Sequence, residues 1–218
     1  HYSFSFKAPF QVSLAPLLEG YQIGLEIGDV ESAGWNLVQR SCCLVFTGRP
    51  LAGTLHELET NVAALIQMNL VNHKFWVAGF LLAVKKLRGV QIEEDDLSFE
   101  AIVKQGGTPP VRAWTSLAQM GLLVILSDWK AAKSLLLETG GLDFMGFHHG
   151  CVFTFLEGLV CMKEAQNNKT WSTRKNWKKR GQKSIELLRG FAKKGNVTVV
   201  HYIHLLEAEF AVANEKGE

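Results

Sequence analysis

IGDVESAGW, residues 27–35, sets a glycine, a carboxylate and a small residue at short intervals between two apolar helical stretches. Before it, LAPLLEGYQIGLEI (residues 14–27) places Leu14, Leu17, Tyr21, Gly24 and Leu25 on one helical face, with Pro16 expected in the first turn, where a missing N–H costs little. After it, a second helix is predicted from Val30 to about Phe46. Gly28 then stops one helix, and Asp29 caps the next by accepting from N–H groups that have no intrahelical partner. The same arrangement returns at SDWKAA, residues 127–132, 99 residues later. Asp128 takes the place of Asp29, and Ala132 that of Ala33, small where two helices cross closely. Leu37 and Leu136 follow four residues on, directed into the same groove.

A third echo closes the chain. Aligning Gly217-Glu218 on Gly28-Asp29 puts Leu206 on Leu17, Phe210 on Tyr21 and Ala213 on Gly24. An apolar residue, an aromatic and a small residue before a Gly-acid turn is the pattern of a tetratricopeptide-type first helix. The spacing of 99 residues is close to three units of about 34 residues. Between these points helical periodicity continues. Thr47-Gly48-Arg49-Pro50 is a stop and restart, with Pro50 suited to a first helical position, and the third helix runs to about Leu70. Asn72 is the expected cap of a fourth helix reaching Arg88. An acidic connection over residues 89–100 leads to a short helix around 98–104, and further helices are predicted at about 110–126, 129–138, 144–166, 169–194 and 197–215. SFSF near the start and VTVV at 197–200 alternate or branch like strands; the first is read as loop, and the second as helix because it runs into HYIHLLEAEFAVAN. The expected fold is all-α: a tetratricopeptide-like helical-repeat solenoid of about nine or ten antiparallel helices. It forms a single region over residues 1–218, with sub-units at 1–88, 89–145 and 146–218, cut from a longer protein because the chain begins at His1.

Apolar residues make up 47% and charged residues 20% of the 218-residue chain, which provides for a real core and excludes disordered or collagen-like composition. The net charge of +2 hides an asymmetry: residues 169–194 carry ten Lys/Arg against one acid, net +9, while the remainder carries 13 basic and 20 acidic residues, net −7. FWVAGFLLAV, residues 75–84, is the longest apolar run and too short for a bilayer, which needs about 20 residues. Cys42, Cys43, Cys151 and Cys161 form no CxxC, so they read as buried free thiols of a reducing, cytoplasmic compartment. The NKT (168–170) and NVT (196–198) matches to the glycosylation pattern are accidental on this reading.

The most metal-like cluster is His148-His149-Gly150-Cys151 with Cys161. Zinc needs four convergent N/S ligands, and on a helix only His148 and Cys151 share a face, so core packing is the favoured reading. His201 and His204 lack a nearby acid pair. Glu93, Glu94, Asp95 and Asp96 lack the oxygen spacing of a calcium loop. In the basic helix, Trp171, Arg174, Trp177, Gly181, Ile185, Leu188 and Ala192 mark an inward stripe. Lys175, Lys179, Lys183, Arg189 and Lys193 fall off that stripe. The charge forms either a solvated face or a docking surface, with Lys175, Lys178, Lys179, Arg180 and Lys183 as the contact set, for an acidic partner such as a sister domain or the 93–96 loop. Counterion release would also reward nucleic acid on such a cluster, but the absence of exposed aromatic alternation argues against nucleic acid and membrane.

LLEGYQIGLEIGDVESAGW, FTGRPL, LLVILSDWKAA and HLLEAEFAVANEKGE, in this order over nearly the whole chain, resemble the helical, tetratricopeptide-like region of large multidomain sensor kinases of cyanobacteria, other bacteria and algae. Those proteins join a serine/threonine-kinase-like domain, a P-loop AAA-type ATPase, this helical region, a GAF domain and a histidine kinase. The family's catalytic motifs do not carry over: GGTPP (106–110) has no lysine for a phosphate loop, and there is no HRD, DFG or histidine phosphoacceptor box. The resemblance thus implies a non-catalytic scaffold that couples an ATPase module to a sensor kinase in signal transduction, with protein partners and no cofactor, inside an ATP-binding parent. The alternatives are a helical metal-binding or enzymatic domain built on His148, Cys151 and Cys161, and a basic nucleic-acid-binding domain.

Overall fold

A computed structural model describes residues 9–92, 97–139 and 149–215, and these form ten α-helices and one 3-10 turn, with no strand among them. The helices are α1 (Phe10–Glu26), α2 (Val30–Val45), α3 (Leu51–Gln67), α4 (Val71–Arg88), α5 (Phe99–Gly106), α6 (Pro109–Ile125), α7 (Trp129–Glu138), α8 (Gly150–Asn167), α9 (Trp171–Lys193) and α10 (Val200–Glu215). The chain divides into two compact units, Phe10–Leu122 and Leu123–Glu218. The SFSF stretch, the 93–96 acids, Gly140-Gly141, His148 and Gly217-Glu218 lie outside the described residues.

In the first unit, Gly28 ends α1 with a left-handed φ of 77°, a conformation glycine adopts without steric cost. Its N–H donates to Leu25 O at 3.2 Å, and Asp29 Oδ1 then accepts from Ser32 N at 3.1 Å. The two helices leave this corner almost in contact. A Cβ at Gly24 would lie 2.9 Å from Ala33 Cβ and 3.0 Å from Ala33 N, so only a residue without a side chain lets α1 cross α2 there. Phe10, Ser13 and Gly24 are buried, whereas Leu25 is 41% exposed and lies off the buried face. Pro16 is not in the first turn: α1 begins six residues earlier, at Phe10, because Phe10 is buried with its ring tilted against Phe46, centroids 6.5 Å apart. Proline therefore interrupts the backbone ladder opposite Val12, on the exposed side of the helix.

Helix α2 packs on α1, α3 and α4. Ser41 accepts a buried hydrogen bond from Asn61 at 2.9 Å. Glu57 on α3 pairs with both Arg40 and Arg49, the latter at 2.7 Å. Burial opposes ionisation of Glu57, but the two guanidiniums overcome it and hold the carboxyl below its ordinary range. Aromatic rings then run through the unit from Phe46 to Phe80 (6.0 Å), Phe80 to Trp114 (6.0 Å), Trp114 to Trp76 (5.2 Å), Trp76 to Trp35 (5.0 Å) and Trp35 to His73 (4.6 Å). These edge-on pairings add attraction beyond the buried area.

Two expected helix starts shift by a residue or two. Pro50 sits at the N-cap of α3 rather than inside it, and α4 is preceded by Leu70, not capped by Asn72. Asn69 takes the left-handed conformation (φ 59°), and Leu70 N donates to Leu65 O at 2.9 Å, which reverses the chain early. Leu70 is used for packing instead of capping: a Cβ at Gly34 would meet its Cδ1 at 2.3 Å.

In the second unit, α8, α9 and α10 pack on one another and α7 packs on α8. Gly181 of α9 lies against Cys161 and Met162 of α8, while Ile185 and Leu188 are buried. The VTVV stretch is a 3-10 turn over Val197–Val199 before α10 begins, with Asn196 accepting from Thr198 N. The Ser127-Asp128 corner repeats the geometry of Gly28-Asp29 closely. Ser127 has φ 58°, Asp128 has φ −82° and ψ 71° against −84° and 72° for Asp29, and its Oδ1 accepts from Ala131 N at 3.0 Å. Ala33 and Ala132 are both fully buried. Five described helices, α2 to α6, separate the two corners, an odd number. Three helix pairs would place six there, so the 99-residue spacing joins corners of opposite phase: one leads from a first helix to a second, the other the reverse.

Candidate partner-binding face

Helix α9 is 23 residues long and opens without help from its ends. Thr170 makes no side-chain cap bond, and no acid stands in the first turn. Arg174 and Lys175 sit instead near the positive end of the helix dipole, where cations are disfavoured. Burial in the three-helix packing holds the C-terminal half through Gly181, Ser184, Ile185 and Leu188.

The inward stripe expected from spacing is buried only from Gly181 to Leu188. Arg174, Trp177 and Ala192 are half-buried, and Trp171 is 68% exposed. Helix α8 runs antiparallel to α9, with Cys161 and Met162 facing Gly181. Trp171, ten residues before Gly181, would face a position ten residues beyond Cys161, but α8 stops at Asn167. The first turn of α9, residues 171–174, outruns its neighbour.

Lys175, Lys179 and Lys183 are exposed and Lys178 is half-buried. None of the four forms an ion pair among the described residues, and Lys175 Nζ lies 4.9 Å from the Trp171 ring centroid. Arg180 is different. Its Nε is 2.7 Å from Glu157 Oε1 on α8, and its guanidinium lies 5.8 Å from the Trp177 ring centroid, which Lys133 also approaches at 5.7 Å. Lys133 pairs in turn with Glu164 at 2.8 Å, Lys163 with Glu209 at 2.8 Å and Arg189 with Glu207 at 2.6 Å. Arg180 is thus part of the helix packing. The outward set is Lys175, Lys178, Lys179 and Lys183, and Trp171 joins it although its spacing assigned it to the core.

Among the described residues the alternative sites receive no such arrangement. Cys151 and Cys161 are buried, and burial pushes both thiols up to about 12, so neither supplies thiolate near neutral pH. Cys43 is raised to about 12 for the same reason. Among the described residues no group of three His, Cys, Asp or Glu side chains is placed to hold a metal ion. His204 does have an acid beside it, Glu207 at 3.6 Å, but that carboxylate is already shared with Arg189. Among the described residues no helix is long and apolar enough to cross a membrane. No protein-family model, curated protein or solved structure matches the chain.

Proposed function

We propose that the chain is a non-catalytic interaction scaffold, a tetratricopeptide-like solenoid of antiparallel helix pairs that couples an ATPase module to a sensor histidine kinase, with α9 as its protein-docking face. The observation that carries the docking assignment is the contrast within α9: Arg180 and Arg189 are tied to acids of the same unit, while Lys175, Lys178, Lys179 and Lys183 have no acidic partner among the described residues. Like charges at four-residue spacing destabilise a helix by about 0.2–0.5 kcal/mol per pair. A row of them along one face of α9 is a local cost that a partner's acids would relieve. The coupling role and the cytoplasmic setting rest on the sequence resemblance.

Reading the residues encoded on either side of this segment tests the coupling role. A P-loop upstream and a GAF or histidine-kinase pattern downstream support it, and their absence refutes it. Mixing the purified chain with those modules tests the scaffold directly. Co-elution on gel filtration is expected, and separate elution at concentrations of about 10 µM would refute direct coupling.

A further inference from the structure

We infer that Trp171 is the apolar anchor, and Lys175, Lys179 and Lys183 the charged register, of a docking ridge for an acidic α-helical segment of a partner protein. The inference rests on the scaffold reading and names the chemistry of its partner. The four residues are spaced four apart on one helix, so they form a single ridge with steps of about 6 Å and a total length of about 18 Å. An apposed helix with carboxylates at i, i+4 and i+8 has the same step, which lets each acid meet one lysine, with an apolar residue one turn beyond to cover the Trp171 ring. Tryptophan is among the residues that most often carry the binding energy of protein interfaces when a partner buries it. Trp171 fits that description: it is 68% exposed and flanked by Lys175 at 4.9 Å.

The charge distribution favours an acidic protein segment over a polyanion. The chain's pI is 8.4 and the residues outside 169–194 sum to −7, whereas nucleic-acid domains carry a broad basic excess, with pI above about 9. A strand-stacking platform needs several free aromatic faces, and Trp177, six residues on, already has Lys133 and Arg180 against it. A membrane surface would call for an apolar stripe beside the lysines, and the exposed large hydrophobics of α9 are Trp171 and Leu187 alone.

The test uses the whole chain and a fluorescein-labelled helical peptide of about 20 residues, with Glu at every fourth position on one face and Leu one turn further on. Its partner control carries Gln for Glu. Fluorescence anisotropy should show binding to the Glu peptide that weakens by about tenfold or more in K175E/K179E/K183E, by about fivefold or more in W171A, and not in K104E on the other unit. Circular dichroism checks that each variant keeps its helix content. Equal binding of the Gln peptide, or unchanged binding by W171A, overturns the inference. So does tighter binding of an oligouridylate that is lost in the same variants, which would assign the ridge to nucleic acid. If the peptide result fails while the intact chain still co-elutes with its sister modules, only the ridge is refuted; if both fail, the scaffold reading goes with it.

Discussion

Replacing Gly24 and Gly121 by alanine makes the same chemical change in two helices, and the structure predicts opposite signs. Gly to Ala in a helix gains about 1 kcal/mol from backbone entropy and burial of the backbone. At Gly121 in α6 nothing lies within 4 Å of the added Cβ, so G121A should show that gain in full. At Gly24 the new methyl would lie 2.9 Å from Ala33 Cβ and 3.0 Å from Ala33 N. Carbon pairs rest at about 3.5–4.0 Å, so α1 must move away from α2 by several tenths of an ångström to an ångström. Overpacking of this kind costs about 1–3 kcal/mol, which outweighs the propensity gain and leaves G24A about 1 kcal/mol less stable than the parent. The two variants should then lie about 2 kcal/mol apart in urea unfolding followed by circular dichroism at 222 nm. Adding A33G removes the Cβ–Cβ overlap but leaves the contact with the Ala33 nitrogen and costs its own propensity. A double-mutant cycle should therefore show a favourable coupling of about 1 kcal/mol and only partial recovery. If G24A is as stabilising as G121A, the close crossing that defines the α1/α2 corner is wrong.

Three further outcomes follow from the same structure. D29A and D128A each remove a helix cap and should lower the urea midpoint additively, since they lie in different units. Because the Ser32 hydrogen bond holds the Asp29 carboxyl below its ordinary range, its contribution is present above about pH 4 and lost as pH falls through the folded value; pH-independent loss in D29A would count against the cap. Buried thiols near 12 should leave Cys43, Cys151 and Cys161 slow toward Ellman's reagent at pH 8 until urea is added, and rapid labelling of the native chain would contradict their burial. Burial also lowers His73 from its ordinary value, against the attraction of Glu31. The unfolded chain then binds the proton more readily, so stability is full above about pH 6.5 and declines as pH falls from there toward the folded value. H73F should flatten that part of the stability profile, and an unchanged slope would remove His73 as its source.

What the sequence determined by itself is local. Apolar periodicity and breakers placed nine of the described helices near their observed bounds, with Trp129–Glu138 placed to the residue. The Asp29 and Asp128 corners were equally legible, because a glycine or polar residue in the left-handed conformation followed by an Asp cap is decided within about six residues of chain. Where Asn72 was expected to cap, Leu70 packing on Gly34 won, a contact between residues 36 apart in sequence. Pro16 was placed by its intrinsic preference for a first turn, yet the contact of Phe10 with Phe46 carries the helix past it.

The tertiary structure alone decided which faces are covered. Periodicity marks a stripe along the whole of α9, but a stripe is buried only where a neighbouring helix is long enough to face it, and α8 ends at Asn167. That length difference puts Trp171 in water beside Lys175, while Glu157, twenty-three residues before Arg180 in the chain, draws Arg180 out of the outward charge. The phase of the two matching corners is likewise a property of helix count, since five helices separate them where an even number would make them equivalent. Helix position is written in neighbouring residues; exposure depends on where the neighbouring helices end.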